Sequence, residues 1–485
     1  MQKAIVIGAG IAGIATSIRL AVKGYDVHVY EANTYPGGKL TSINVGDFRF
    51  DAGPSLFTLP HLVTELFDLC GESSEVHFKY NKKDTICNYF WDDGFSYSMP
   101  SDSAEIPRSI SNHFDVSEDA INHYLDLSKT KYELTNPIFI EKSLHKPSTY
   151  FSKKTLRALF SMFRLDLFTS LHKKNKISFS DPKLVQLFDR FATYNGSSPY
   201  QTSGIMSMIP HLEMGLGTFF PEGGMNSITE SLFGLAKRQG VKFHFSNLVD
   251  EIIVEDKVAV GIRIGAEKVL SNLVVSNMDI FSTYKHLLAD QRQPKRILDQ
   301  ERSSSALIFY WGIKGKHSKL DLHNILFSSN YKEEFDYIFE KKDIHKDPTV
   351  YINISSKCKE SDAPNNCENW FVMVNTPSDT GQDWDTLISK TKKNIIKKIN
   401  KTLDLNLESL IIEECLLDPR LIESRTRSHQ GSLYGTSSNS QYSAFLRHPN
   451  FSSQIKNLFF VGGSVHPGGG IPLCLNSAKI VSNFI

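Results

Sequence analysis

Gly8, Gly10 and Gly13 are spaced G-x-G-x-x-G, and Glu31 stands 18 residues after the last of them. Each residue type has a task at that spacing. Gly8 permits a tight turn, Gly10 lets the backbone approach a pyrophosphate, and Gly13 lets a helix pack closely on a strand. A helix that starts there, at Ala12, turns free N–H groups and the positive end of its dipole towards phosphates. A carboxylate at position 31 can accept hydrogen bonds from a ribose diol, and it repels a 2′-phosphate, which argues against NADP. Alone, the glycine triplet says little. The flanking pattern gives it weight. Residues 3–7 (KAIVI) read as a short buried strand. Ile14, Ile18, Leu20 and Ala21 then follow at helical spacing up to Gly24, and residues 26–30 (DVHVY) read as a second strand. Strand, glycine turn, helix, strand and acid together predict a dinucleotide-binding unit.

A second glycine pair, Pro36-Gly37-Gly38-Lys39, comes six residues after Glu31. A nicotinamide site has no need of it. A GG pair with a basic residue in this place resembles the FAD-binding family that includes the amine oxidases. That resemblance implies FAD, with Lys39 near the ribose or the phosphates. Residues 48–55 (FRFDAGPS) add to the likeness and imply that backbone groups of Ser55 and Leu56 lie near the flavin.

The far end of the chain repeats the device. Residues 458–461 (LFFV) read as a strand, 462–472 as a loop with five glycines and two prolines, and 475–485 as a helix. A glycine turn before a helix again suits an anion. The whole run FFVGGSVHPGGGIPLCLNSAK closely resembles the C-terminal signature of bacterial-type carotenoid (phytoene) desaturases. Residues 194–228, 272–279 (NLVVSNMD), 323–339 and 347–356 resemble runs in the same places of that family, whereas about 110–190 and 380–410 match least. The resemblance implies FAD contacts at Ala12, Glu31, Lys39, Ser55, Leu56, Asn277, Gly463, Gly470 and Ile471. It also implies one at Val249, in an expected strand where a backbone pair meets the adenine. Gly469 stands where many members of that family carry an alanine, a departure expected to loosen the loop without removing its donors. Within the family the likeness is nearest to the branch that desaturates already hydroxylated carotenoids at C3–C4.

The chain must supply the elements that bring these ends together. Its 485 residues are too many for one ordinary core, so two or three domains are expected. Apolar residues are 40% and charged residues 22%, which excludes a disordered or polytopic membrane chain. Lys plus Arg is 54 against 53 for Asp plus Glu, so no basic excess points to nucleic acid. The six cysteines form no C-x-x-C pair. They fit neither a zinc site nor a disulfide framework, and they suit a reducing cytoplasm. No metal site is expected. The glycines at 8, 10 and 13 interrupt the only run near the start that a signal peptide could use. Residues 457–478 are uncharged, but their glycines and prolines argue against a span.

The expected fold class is α/β. A discontinuous Rossmann-type FAD-binding domain (residues 1–75, 222–295 and 415–485) carries a mixed-sheet substrate domain (76–110, 190–221 and 296–414). A helical subdomain, 111–189, completes it. Strands are expected at 241–245, 248–253, 258–264, 269–276 and 307–313. Thr218 to Met225 reads as a sheet-to-helix turn with core aromatics, or as the lip of a pocket. Residues 142–177 carry nine Lys or Arg against Asp166 alone, interleaved with Phe, Leu and Met. That pattern suits a helix pair lying on an anionic lipid surface, or a helical unit whose basic face is merely solvated.

Desaturation takes two hydrogens from adjacent unactivated carbons. An oxidised flavin can accept a hydride at N5, and a base then removes the neighbouring proton from a cation spread along the polyene. The C–H bond must be held about 3–3.5 Å from N5, with water excluded. His211 and Glu213 are candidate bases, and His466 reads as a packing residue beside the flavin. Ser464 has no partners for a hydrolase triad. The substrate implied is a long carotenoid, met at a membrane surface, and the oligomeric state stays open. The other readings are a phytoene desaturase, a carotenoid isomerase working with reduced flavin, and a flavin amine oxidase. A non-catalytic isoprenoid-binding protein like the guanine nucleotide dissociation inhibitors is the last, although those lack an intact flavin site.

Overall fold

The computed structural model describes residues 1–146, 149–150, 165–440 and 447–485. Lys3–Ile7 is buried from Ala4 onward, as a strand covered on both faces must be. It is the middle of a wholly parallel five-stranded sheet in the order Leu458–Phe460, Leu273–Ser276, Lys3–Ile7, Asp26–Tyr30, Lys242–His244. Helices Ile11–Val22, Asn226–Arg238 and Ile471–Ser482 bury their apolar stripes on one face of it. The other face packs on a three-stranded antiparallel sheet made by Glu251–Glu255, Val258–Ile264 and Glu267–Leu270.

A seven-stranded mixed sheet forms the second body. Its order is Ile411–Leu417, Ser305–Lys314, Cys367–Thr376, Val350–Asn353, His323–Leu326, Thr85–Phe90, Ser96–Pro100. All neighbours are antiparallel except His323–Leu326 with Thr85–Phe90. Helix Trp384–Leu403 covers one face, burying Ile395, Ile396 and Ile399 against Trp311 and Trp370. The hairpin Ser42–Val45/Phe48–Asp51 covers part of the other. Helices Ile106–His113, Glu118–Thr135, Leu171–Ser178 and Pro182–Asp189 gather around a third apolar core with Phe188 and Phe191 at its centre.

Several expected elements move. The strand expected over 248–253 is Glu251–Glu255, because the Asn247 amide donates to the Glu31 carbonyl and holds 247–250 as a loop. The run 269–276 divides into Glu267–Leu270 and Leu273–Ser276, which serve different sheets. The last helix begins at Ile471, four residues before the expected start, since Pro472 is compatible with a first turn. Phe219 and Phe220 pack on Phe57 and Tyr80 in the core, so the 218–225 turn is packing and not a pocket lip. Of the basic segment 142–177, residues 147–148 and 151–164 lie outside the described residues. Among the described residues no helix is long and apolar enough to cross a membrane.

Candidate functional site

Gly10 caps helix Ile11–Val22 without a side chain, so the amides of Ile11 and Ala12 find no acceptor among the described residues. The third amide, of Gly13, donates to Asn277 Oδ1 at 3.0 Å. Asn277 Nδ2 donates in turn to the Val461 carbonyl at 3.2 Å. One side chain thus ties the first glycine turn to the last strand. The approach is close. A Cβ on Gly13 would lie 2.2 Å from the Gly8 carbonyl oxygen, so only glycine allows it.

Glu31 ends the second strand and is buried. Its Oε2 accepts the Ala9 amide at 2.7 Å, and its Oε1 accepts the Asn33 amide at 2.8 Å and Asn33 Nδ2 at 2.9 Å. The carboxylate therefore also fixes the shape of the glycine turn, a role the spacing did not suggest. Lys39 Nζ donates to the carbonyls of Ser432 and Leu433 at 3.1 and 2.9 Å. Burial lowers its pKa, and the nearby Asp279 carboxylate opposes that. Burial likewise raises Asp279, against the pull of Arg302 and Lys39.

Helix Ile471–Ser482 starts at Gly470, again with no side-chain cap, and Pro472 has no N–H to satisfy. Beneath this turn the buried Arg447 guanidinium donates to the carbonyls of Tyr434, Thr436 and Gly463, at 2.8, 2.9 and 3.3 Å. Burial draws its pKa down to about 10. The Tyr434 ring occupies the space beside Gly469, where a Cβ would come within 2.7 Å of it. The loop is thereby filled by an aromatic ring, which replaces the looseness expected of an extra glycine.

All these groups face one cavity of about 1440 Å³. Gly8, Gly10, Ala12, Glu31, Lys39, Ser55, Leu56, Val249, Asn277, Gly463, Gly470 and Ile471 line it; Gly13 packs just behind. Its volume exceeds the roughly 300–1,000 Å³ of a drug-sized pocket. Two uncapped helix starts converge on it, and Arg425 and Arg427 stand at its mouth. The donors, the bare glycine backbone and the buried acid at the end of the second strand fit an FAD pyrophosphate and ribose.

Beyond Ser55 the wall turns apolar, with Phe139, Ile140, Ile205, Met208, Ile209 and Leu212. Two polar groupings interrupt it. Arg190 donates to Tyr89 Oη at 2.6 Å and to Glu213, and Tyr194 Oη donates to the other oxygen of Glu213. Ser55 Oγ lies 2.8 Å from Tyr351 Oη, which lies 2.8 Å from His323 Nδ1. Sequence reasoning missed Arg190, His323 and Tyr351. The only signal for the last two was that the strand runs 323–326 and 350–353 place them on one face by alternation.

The other candidates separate. Glu213 lines the chamber but is already paired, while His211 lies outside it against Tyr132. His466 also lies outside. Its Nε2 donates to the Lys142 carbonyl at 2.8 Å, and burial lowers its pKa to about 4. Ser464 Oγ accepts the Ile280 amide. No cluster of three metal-ligating side chains occurs among the described residues.

Residues 11–301 match the model of the flavin containing amine oxidoreductases. The chain is 54% identical over 485 residues to a 1-hydroxycarotenoid 3,4-desaturase of Flavobacterium sp. (strain P99-3), covering all of this chain and 99% of that one. It is 30% identical to a 4,4'-diapolycopene oxygenase of Methylomonas sp., over 100% and 98% of the two chains. Among solved structures, an oxidoreductase from Methanosarcina mazei superposes with TM-score 0.64 at 15% identity, over 99% of this chain and 100% of the other. Putrescine oxidase bound to putrescine gives 0.64 at 12%, over 100% and 98%. Those two likenesses concern the fold.

Proposed function

The chain belongs to the flavin containing amine oxidoreductase family, and from that premise we propose that it is an FAD-dependent desaturase of a long carotenoid. The bond oxidised is C3–C4 of a 1-hydroxylated polyene. One observation carries the reading: a single cavity has a phosphate-binding half and a long apolar half, in a chain 54% identical end to end to a 1-hydroxycarotenoid 3,4-desaturase. An amine oxidase needs no such length of apolar wall for a small cation.

In this reading Ala12, Glu31, Lys39, Ser55, Leu56, Val249, Asn277, Gly463, Gly470 and Ile471 are the cofactor contacts, with Gly8, Gly10 and Gly13 shaping the turn. Bound FAD supplies the hydride acceptor. The chain's own residues bind, orient and keep water away. The uncapped amides of the two helices take the negative charge, and the apolar wall holds the polyene dry. Residues 1–75, 222–295 and 415–485 are assigned to cofactor binding; 76–110, 190–221 and 296–414 to substrate binding; 111–189 to a helical unit. The substrate dissolves only in lipid, so this unit meets a membrane surface. Exposed Phe168 (75%) and Ile177 (72%) beside exposed Lys173 and Lys176 support that contact.

The test is expression in cells that make 1-hydroxylated carotenoids. A red-shifted pigment with one more conjugated double bond is expected. An unchanged chromophore in cells holding the flavin-loaded protein overturns the desaturase reading. Sedimentation with anionic vesicles, lost in Ile177→Asp with Lys173→Glu and Lys176→Glu, tests the membrane contact.

A further inference from the structure

His323 and Asn353 face each other across neighbouring strands in the wall of the cavity, and His323 is 3% exposed. Asn353 Nδ2 donates to the Leu322 carbonyl at 3.0 Å, and a carbonyl only accepts, so the amide's orientation is fixed. The same nitrogen faces His323 Nδ1 at 3.3 Å. Nδ1 is therefore the acceptor of this ring. Burial, with Lys83 and Arg190 nearby, lowers the imidazole pKa to about 3, so the ring is neutral. A neutral imidazole that accepts at Nδ1 carries its proton on Nε2. That Nε2–H is buried and has no acceptor among the described residues.

A buried donor left unpaired is costly, and in a cavity wall the natural acceptor is a group on the occupant. The surroundings define the occupant. Ile325 and Cys87 flank His323, and the chamber beyond is apolar. Arg190 Nη2 and Glu213 are engaged with each other and with Tyr89 and Tyr194, so among the described residues only the Arg190 Nε–H is left there for a neutral ligand. Ser55 and Tyr351 place two hydroxyls beside the imidazole, in the run that the cofactor reading sets against the flavin.

We propose that His323 Nε2–H, together with the Ser55–Tyr351 hydroxyl pair, seats the hydroxyl group at the end of an otherwise apolar polyene. The inference rests on the desaturase reading and adds the residue that selects the hydroxylated substrate. The hydroxyl oxygen accepts from Nε2. Anchoring it sets which carbon–carbon bond, a fixed number of bonds along the chain, reaches the flavin. The seat thus fixes both substrate choice and position of oxidation.

The test uses flavin-loaded protein in detergent with two polyenes of equal length, one bearing the 1-hydroxyl and one bearing hydrogen there. The wild type is expected to favour the hydroxylated polyene by roughly ten- to hundredfold in kcat/KM, and similarly in the Kd from fluorescence quenching. His323→Leu is expected to bring both ratios within about threefold, with flavin content unchanged. A wild-type ratio already below threefold overturns the proposal, as does a ratio that survives in His323→Leu. Should that variant fail to load flavin, Tyr351→Phe is read in the same way. If the wild type converts neither polyene, the desaturase reading fails, and the binding ratio still decides whether the seat exists.

Discussion

Asn277 Oδ1 accepts the amide of Gly13, 264 residues away in the chain, at 3.0 Å. Because Asn277 Nδ2 also reaches the Val461 carbonyl, one amide side chain joins the opening turn to the end of the closing strand from the strand between them, Leu273–Ser276. Asn277→Ala removes both bonds and leaves the Gly13 amide unpaired. A loss of about 2–3 kcal/mol is expected, read as a fall in melting temperature and in the flavin-to-protein absorbance ratio. Asn277→Asp keeps the acceptor and should retain more flavin. Equal loading of all three proteins would contradict the tie.

Glu31 bonds the Ala9 amide and two groups of Asn33 before any ligand is considered. Glu31→Ala therefore loosens the glycine turn as well as removing a ribose partner. Flavin affinity should fall by about tenfold or more, measured by titrating FAD into stripped protein. A fully loaded yellow variant would rule this geometry out.

Gly469 touches the Tyr434 ring, where a Cβ would stand 2.7 Å from Cδ1 and 3.0 Å from the Tyr434 Cα. Gly469→Ala overpacks this contact and should cost about 1–3 kcal/mol. Pairing it with Tyr434→Ala should recover part of the loss. Thermal melts of the two single variants and the double variant measure the coupling, and strict additivity would refute it.

His448 and His466 are both buried, and burial pulls each pKa to about 4. The unfolded values lie near 6.5. Between those limits the unfolded chain binds protons that the native chain refuses, so stability rises with pH there. Lowering the pH from 7 to 5 should cost about 2 kcal/mol for each histidine. His448 donates from Nδ1 to the Pro449 carbonyl and faces Tyr284 Oη with Nε2, a neutral arrangement. His448→Gln should make the slope of melting temperature against pH shallower without abolishing it, because His323 and His429, drawn down to about 3 and about 4, contribute with the same sign. A slope in His448→Gln equal to that of the wild type would count against a neutral, buried His448.

The cofactor half was readable because its physics is local. Gly8, Gly10 and Gly13 lie within six residues, and Glu31 follows at a distance set by one helix and one strand. The second turn at Gly470 has the same grammar. What escaped was whatever depends on two remote strands meeting. Val249 was expected in a strand and stands in a loop, because its place is set by the Glu31 carbonyl drawing Asn247 in. His323 and Tyr351 are unremarkable in sequence. Their chemistry exists only because two antiparallel strands bring Asn353 to His323 and the loop after Phe48–Asp51 brings Ser55 to Tyr351. Arg190 and Glu213 pair across 23 residues of irregular turns that no periodicity describes.

The edge strand Leu458–Phe460 and the helix start at Gly470 belong to the same phosphate-binding half as Gly10. Both leave the ribosome after every strand of the mixed sheet. A nascent chain can build the mixed sheet early, yet it cannot grip its coenzyme until these two later elements have emerged. Coenzyme uptake then waits on this one segment, and a chain stopped before Asn457 should be made, and stay colourless, however much riboflavin the cell supplies.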